Sequence, residues 1–425
     1  MRKNAKSEAI RKAAGEGQLW LELPVLVREA LYETVMAAGL ACVSEVLEAE
    51  RSGLCGARYE HLAERQAVRA GHVASSLVLG GRRVAVGRPR ARSIEGHELS
   101  LPSWREWSRR DPLTERAVEQ MVLGVSTRRY ARSLEPLPPA TKASGVSKSA
   151  VSERFVYGTE RKLAELMSRE LGSISFTALF IDGVHFGEHL VLAAVGVDEG
   201  GDKHVLGLRE GATENAAACK ALLGDLIERG LNPERSLLVV IDGAKALYKA
   251  VVEVFGARAL IQRCREHKKR NVSEALPERL RASMRTTMNQ AYAIRDPKRA
   301  RRLLDNLARR LEDQHPGAAA SLREGLDETL TVMRLGLPDN LERILSSTNV
   351  IENLFSRVRE IGRRVRRWQS GTMVLRWTAA GVLEAERGFR KVAGYRAMPV
   401  LVAALRAHDA KLGPVPRVDD VGKAA

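Results

Sequence analysis

The sequence predicts an α/β fold, and three observations predict it. From Phe176 onward, "FTALFIDGVHF", "HLVLAAVGVD" and "KHVLGLREG" are apolar, β-branched runs parted by short polar turns, the pattern of three consecutive strands. "TENAAACKALLGDLIERGL" follows with helical periodicity and a capped start near Glu214, and "RSLLVVIDGAKAL" then reads as a strand leading into a helix. The order is βββαβα, and a fifth short strand, "ARALIQRC", follows the helix expected around residues 245–255.

The chain ahead of this block reads differently. Residues 17–70 carry apolar residues every three or four positions, as in "LPVLVREALYETVMAAGLACVSEVL", and predict a small helical unit. Cys42, Cys55, His61 and His72 lie in or near it, but they form no C-x2-C or H-x3-H pair, so no zinc site is expected. In "SSLVLGGRRVAVGRPRARS" two β-prone runs flank Gly80-Gly81, the turn chemistry of a tight hairpin. Its second strand gathers Arg82, Arg83, Arg88, Arg90 and Arg92 with no acid among residues 82–92. Such a strand is either a solvated edge guarded by charge or an arm that tracks phosphates or enters a minor groove.

From 111 to 157 the pattern is helical again, and "MVLGVSTRRYARSLE" and "KASGVSKSAVSERFV" share a Gly-Val-Ser turn. A Gly turn, a Ser N-cap and a polar second helix suit a helix-turn-helix, with Lys148, Ser149, Ser152 and Arg154 facing a groove; an ordinary capped helical hairpin is the other reading. Pro138 and Pro139 interrupt the helix that should precede Gly145, which moves the first helix to residues 127–134 with a longer loop.

Composition bounds the partners. With 425 residues and 44% hydrophobic content the chain can build one large core or a few modules without disulfide or metal staples. Lysine and arginine number 69 against 52 acids, a formal charge of +17, which favours a polyanion and nucleic acid first. Four scattered cysteines fit a reducing, cytoplasmic compartment. The opening "MRKNAKSEAIRKAAGEGQ" lacks the apolar core of a signal peptide, and the longest apolar run, residues 190–197, is far short of the ~20 a membrane helix needs. Neither secretion nor membrane insertion is expected.

Two of the strands end alike, in "FIDG" at Asp182 and "VIDG" at Asp242, each with an aspartate where the apolar run stops and a glycine to open the turn. Either alone is ordinary turn chemistry. Together, on first and fourth strands that βββαβα topology allows to be neighbours, they place two carboxylates close enough to share a divalent cation, with Mg2+ the natural occupant of hard oxygen ligands. A later acid, Glu352, falls in the first turns of a helix that "SSTNV" would cap, with Asn349, Ser356 and Arg359 on the same face. Between 353 and 377 stand seven arginines and one acid, a density that repels itself unless phosphates lie alongside. By itself Glu352 could simply favour the helix N-terminus.

"FIDG", "VIDG", "STNVIENLFSRVR" and the Cys-x2-His stretch "QRCREHKKRN" occur as separate motifs, and with "DPLTERAVEQMVLGVSTRRYARSLE" they resemble the Mutator-type DDE transposases of bacterial insertion sequences over roughly residues 75–400. The resemblance implies a ribonuclease-H-like catalytic core, βββαβα-β-α, with a helical insertion before the last catalytic helix and an N-terminal, mostly helical DNA-binding region containing the basic β-hairpin. It makes Asp182, Asp242 and Glu352 the catalytic, metal-holding acids, 60 and 110 residues apart. It implies two Mg2+ ions, with Mn2+ able to substitute, and makes His267 a catalytic residue near the scissile phosphate or a metal-bound water. Arg263, Arg265, Lys268, Lys269 and Arg270 around it, and Arg357, Arg359, Arg363, Arg364, Arg366 and Arg367 later, would hold DNA. Trp368 either stacks on an unpaired base or packs a helix, and Cys264 and His267 are otherwise a core cysteine and a surface histidine.

The expected organisation is a helical region at 1–75, hairpin and linker at 76–110, a helix-turn-helix-like region at 111–170, the first part of the core at 171–272, the helical insertion at 273–340, the last part of the core at 341–410 and a flexible tail at 411–425. The implied activity is binding of terminal inverted repeats, then strand cleavage and transfer into target DNA, by a nucleoid-associated bacterial protein acting as a homodimer. A catalytically inactive DNA-binding regulator and a ribonuclease-H-like structure-specific nuclease are the competing readings.

Overall fold

The structure, a computed structural model, describes residues 19–60, 66–109, 112–135, 137, 141–211 and 216–413. The basic opening stretch, His61, Pro138, Pro139, the helix start near Glu214 and residues 414–425 of the expected tail lie outside the described residues. The chain divides into two compact units, Met1–Gly158 and Thr159–Ala425.

The first unit opens with a long helix, α1 (Leu19–Cys55). Two strands follow, β1 (Ala67–Leu79) and β2 (Arg82–Ser93), which pair antiparallel along their length. Gly80 and Gly81 between them have φ of 58° and 77°, a conformation that a residue with a Cβ resists. The strand begins well before residue 76, so the helical reading of residues 17–70 overshoots. Residues 67–75 mix small and polar side chains without a decisive period, and pairing with β2 settles them as strand. The ladder shifts between Arg69 and His72, where His72 faces Pro89, a residue with no N–H to give. A short β3 (Glu98–Leu99) extends the sheet beside β2.

Helices α2 (Pro102–Arg109) and α3 (Pro112–Val122) come next. The helix expected at 127–134 is only a 3-10 turn, Ala131–Ser133. Residues 143–144 form β4 (Ala143–Ser144), which pairs with β2, and α4 (Lys148–Met167) follows. The backbone before Gly145 is therefore committed to the hairpin sheet and cannot supply the first helix of a compact helix-turn-helix. Among the described residues one segment, Ala30–Cys55 of α1, is by length and composition apolar enough to cross a membrane. No unbroken apolar run marks it in the sequence, because Glu33, Glu45, Glu48, Glu50 and Arg51 punctuate it.

The second unit is built on a five-stranded sheet of β5 (Phe176–Phe186), β6 (His189–Asp198), β7 (Lys203–Gly211), β8 (Leu237–Ile241) and β9 (Ala259–Arg263), in the order β7-β6-β5-β8-β9. The first three strands are an antiparallel meander. β8 and β9 then add in parallel beside β5, after crossovers through α5 (Ala216–Glu228) and α6 (Lys245–Phe255). The first and fourth strands are thus neighbours, as the sequence order allowed.

Strand alternation decides what each face meets. Leu179 and Ile181 of β5 and Val239 and Ile241 of β8 share a core with Leu222, Leu223 and Leu226 of α5 and Leu247 and Val251 of α6. Phe180 and Val184, with Leu238 and Val240, turn to the other face. The chain then runs through α7 (Arg265–Glu274), α8 (Glu278–Tyr292), α9 (Pro297–Glu312), α10 (Pro316–Arg323) and α11 (Thr331–Arg334). These helices bury a core of their own around Val272, Met288, Leu304, Leu322 and Met333, so the long gap before Glu352 is helical.

After α12 (Asp339–Leu345), α13 (Asn349–Gly362) lays Ile351, Leu354, Phe355 and Val358 on the Phe180 face of the sheet, with α14 (Gly371–Glu386) and α15 (Met398–Leu412) completing that layer.

Candidate active site

The two aspartates arrive by strand register. Ile181 and Ile241 are the last paired couple of the parallel β5–β8 ladder, and Asp182 and Asp242 are the next residue on each strand. Neighbouring strands run about 4.8 Å apart, and both acids share the parity of Phe180 and Val240, so both emerge on the face that α13 covers.

The expectation that both close a strand holds only for Asp242. Asp182 lies inside β5, opposite Ala193 of β6, because the antiparallel pairing continues to Phe186 after β8 has stopped. Gly183 is accordingly a strand residue, while Gly243, at φ 107°, makes a real turn, and a Cβ there would lie 2.4 Å from Arg263 Nε. The Asp242 carboxylate accepts the Ala244 N–H at 2.9 Å and fixes that turn.

Glu352 comes from the first turn of α13, and its setting differs from a plain helix cap. Thr348, fully buried at the N-cap, makes no side-chain cap bond. Its hydroxyl donates to Glu352 Oε1 at 3.3 Å and lies 3.2 Å from His267 Nδ1, while His267 Nε2 stands 3.6 Å from Glu352 Oε1.

Cys264 ties the pieces together. Its N–H donates to Ile241 O at 2.7 Å, next to Asp242, and its buried sulfur accepts the N–H groups of His267 at 3.5 Å and Thr348 at 3.3 Å. The end of β8, the start of α7 and the start of α13 thus meet at one thiol. Sequence reasoning gave neither Cys264 nor Thr348 this position. The Cys-x2-His spacing, four residues on which one side chain can cap the next turn, was the available signal.

The acids crowd one another. Burial first, then the charges of Asp242 and Glu352, push the Asp182 carboxyl up to about 7 against the opposing effects of His267 and the Gly183 N–H. His267 is raised to about 9, first by its side-chain bond with Cys264, against desolvation, and then by the charges of Cys264, Asp182 and Asp242. Burial would raise Cys264, yet its bonds with His267 and Thr348 prevail and lower it. Hard carboxylate oxygens whose burial and mutual repulsion hold a proton near neutrality are a donor set that a divalent cation suits. Among the described residues, however, no three or more His, Cys, Asp or Glu are drawn into a closed metal-ligand group.

Several residues expected on DNA lie elsewhere. Arg263, Arg265, Lys268 and Lys269 are all buried. Arg263 donates to Gly243 O and Glu324 O; Arg265 donates to Thr329 O and pairs with Glu342 at 2.8 Å. Lys268 donates to Ser321 O and Glu324 O, and Lys269 to Glu266 and Asn289. They clamp the inserted helices onto the sheet edge, because a cation out of water must find carbonyls or acids. Arg270 is exposed.

In the hairpin, Arg88 and Arg90 meet an acid from outside residues 82–92, Glu98 of β3, and Arg82 donates to Glu135 O. Arg83 is partly buried beside it on β2. Arg154 folds back onto Gly145 O at 2.7 Å, while Lys148 is exposed.

The later arginines are different. Arg357, Arg359, Arg363, Arg364, Arg366 and Arg367 line the outer side of α13 and the stretch after it, all of them exposed, and none makes an ion pair among the described residues. The last four lie beyond α13, whose end at Gly362 is covered by the Trp368 indole. Trp368 packs edge-on to Phe186 and Trp377, at 5.5 and 6.3 Å between centroids.

A mixed sheet with paired aspartates beside a helix-borne glutamate places the chain among α/β proteins with an acidic site. The profile described as "Transposase, Mutator family" matches residues 26–390, and the chain belongs to that family. It is 29% identical over 395 residues to the transposase for insertion sequence element ISRM5 of Rhizobium meliloti (strain 1021), covering 92% of this chain and 95% of that one. It is also 28% identical over 334 residues to the transposase for insertion sequence element IS1081 of Mycobacterium tuberculosis (strain ATCC 25618 / H37Rv), covering 75% and 76%. A transposase acts on DNA, the polyanion that the charge of +17 favours.

Proposed function

We propose that this chain is the transposase of an insertion sequence, that it binds the element's terminal inverted repeats, and that it cleaves and joins DNA strands at a ribonuclease-H-like core in which Asp182, Asp242 and Glu352 hold two Mg2+ ions. The carrying observation is that Asp182 and Asp242 follow the last paired couple of two adjacent parallel strands, on the face α13 covers. The order β7-β6-β5-β8-β9 and the helical stretch between β9 and α13 support the same reading.

When bound, the ions would activate an attacking hydroxyl and stabilise the leaving oxygen. The protein's own part is to keep three acids within reach from three elements. Thr348 and His267 hold Glu352 in place through contacts of 3.3 and 3.6 Å, and His267, a cation below about pH 9, lessens the repulsion among the acids. The arginines from 357 to 367 hold the DNA backbone through charge. Mn2+ would serve as Mg2+ does. Two ends must be brought together, so the active form is a homodimer, working at the bacterial nucleoid.

A labelled duplex carrying the inverted repeat, incubated with Mg2+, tests this. End-specific nicks and joined products are expected, and Asp182→Asn or Glu352→Gln should abolish both. Retarded but uncut DNA would mean an inactive binder, and cleavage indifferent to end sequence a structure-specific nuclease.

A further inference from the structure

A cleft of about 620 Å3 opens on the flank of α13, lined by Lys203 at the start of β7, by Asn349, Asn353 and Arg357 of α13, and by Phe389 and Arg390 after α14. Four cations line it, and three of them, from three separate elements, have no acid to satisfy them among the described residues. Lys203, Arg357 and Arg390 make no ion pair among the described residues, whereas neighbouring Lys391 is tied to Asp202. The Lys203 ammonium lies 4.9 Å from the centre of the Phe389 ring, and burial together with the Arg357 charge lowers its pKa. Lys203 is half-buried, and a like charge held beside it is costly unless an anion comes between them.

The position matters as much as the charge. Asn349 and Ser356, which also line the cleft, lie three residues before and four after Glu352 along α13, at the edge of the cleft nearest to it. Glu352 itself does not line the cleft, but residues about one turn of α13 to either side of it do. The volume falls inside the roughly 300–1,000 Å3 of sites that take one small molecule, which leaves room for a nucleotide and not for a duplex.

We propose that this cleft binds an unpaired nucleotide of a DNA strand continuing from the acidic site, with Lys203 and Arg357 on its phosphate and the asparagines beside its base. Arg390 guards the mouth, and Phe389 supports the Lys203 stem. The proposal rests on DNA being the substrate, so its test reads binding and not cleavage.

The experiment compares fluorescence anisotropy of a labelled blunt duplex with that of the same duplex carrying a short unpaired extension, without divalent metal and over a range of salt. The wild-type protein should bind the extended DNA severalfold more tightly. Lys203→Gln should remove that preference, leave blunt-duplex binding unchanged and lower the salt slope on extended DNA by about 0.7, the value for one single-strand phosphate. Lys203→Arg should keep the preference, and so should Lys220→Gln, whose lysine pairs with Glu253 on α6. Unchanged blunt-duplex binding also shows that the variants are folded. A wild-type protein without the preference, or a Lys203→Gln variant that keeps it or weakens both DNAs equally, would overturn the cleft assignment alone. A wild-type protein that binds neither DNA would overturn the transposition reading with it.

Discussion

His267 Nε2 stands 3.6 Å from Glu352 Oε1, an oxygen that also accepts the Thr348 hydroxyl at 3.3 Å. Glu352 is thus held from two sides by the protein itself. Thr348→Val keeps the backbone N–H to Cys264 and removes only the hydroxyl, so it should leave DNA affinity intact and slow strand cleavage by about 10–100-fold, the usual cost of losing a partner that orients a metal ligand. Thr348→Ser should recover most of the rate. Single-turnover cleavage beside a binding titration checks both.

The same histidine sets a pH dependence of stability. Its pKa is raised from 6.5 to about 9, so its stabilising contribution is complete below 6.5 and is lost as pH climbs through 9. Urea midpoints of the wild-type protein should fall between about pH 6 and pH 10, and His267→Gln should flatten the fall. Equal slopes in both proteins would show that the imidazolium carries no such contribution.

Asp182 has the same sign in a lower window. With its pKa raised from 3.8 to about 7, the favourable contribution is complete below 3.8 and gone above 7. In metal-free buffer at about pH 8, Asp182→Asn should therefore be more stable than wild type, by up to about 4 kcal/mol, while having no cleavage activity. Added Mg2+ should raise the wild-type melting temperature and not that of the variant. Differential scanning fluorimetry reads the stabilities, and a cleavage assay the activity.

The buried ion pair of Arg265 and Glu342, 2.8 Å apart with side chains 9% and 14% exposed, should show the asymmetry of such pairs. Glu342→Ala leaves a guanidinium out of water and should cost about 3–5 kcal/mol. Arg265→Met combined with Glu342→Leu should recover a large part of that in a denaturant titration.

Two sets of basic residues should separate by assay. Replacing Arg363, Arg364, Arg366 and Arg367 by Gln should lower the slope of log affinity against log salt by about 0.9 for each phosphate no longer neutralised and leave the melting temperature where it was. Lys268→Gln should do the reverse, because its ammonium is buried on Ser321 O and Glu324 O.

Much of the second unit was legible because its signals are local. Apolar, β-branched runs bounded by turns gave β5, β6, β7 and β8, and the βββαβα order left β5 and β8 free to be neighbours. Parity along those strands also puts Asp182 and Asp242 on one face. Other features depend on what lies opposite in space. No local pattern says that β5 runs on past β8, which is why Asp182 looked like a strand end. Charge density could not tell Lys268 from Arg366, since a lysine held by carbonyls 53 and 56 residues away reads like a solvated one. The hairpin arginines lacked an acid only within their own stretch, and Glu98 came from the next strand. Thr348 looked like a helix cap because a hydroxyl before a helix usually is one.

Ile351, Leu354, Phe355 and Val358 anchor α13 on the sheet among the same side chains that bury Phe180 and Val240, the residues two before Asp182 and Asp242. The acids' spacing and the main core therefore depend on one body of packing. Heating should not produce a folded protein with a loosened acid triad; inactivation and melting of the sheet should arrive at one temperature, and a methyl group removed at Leu354 should slow the cleavage proposed for the three acids.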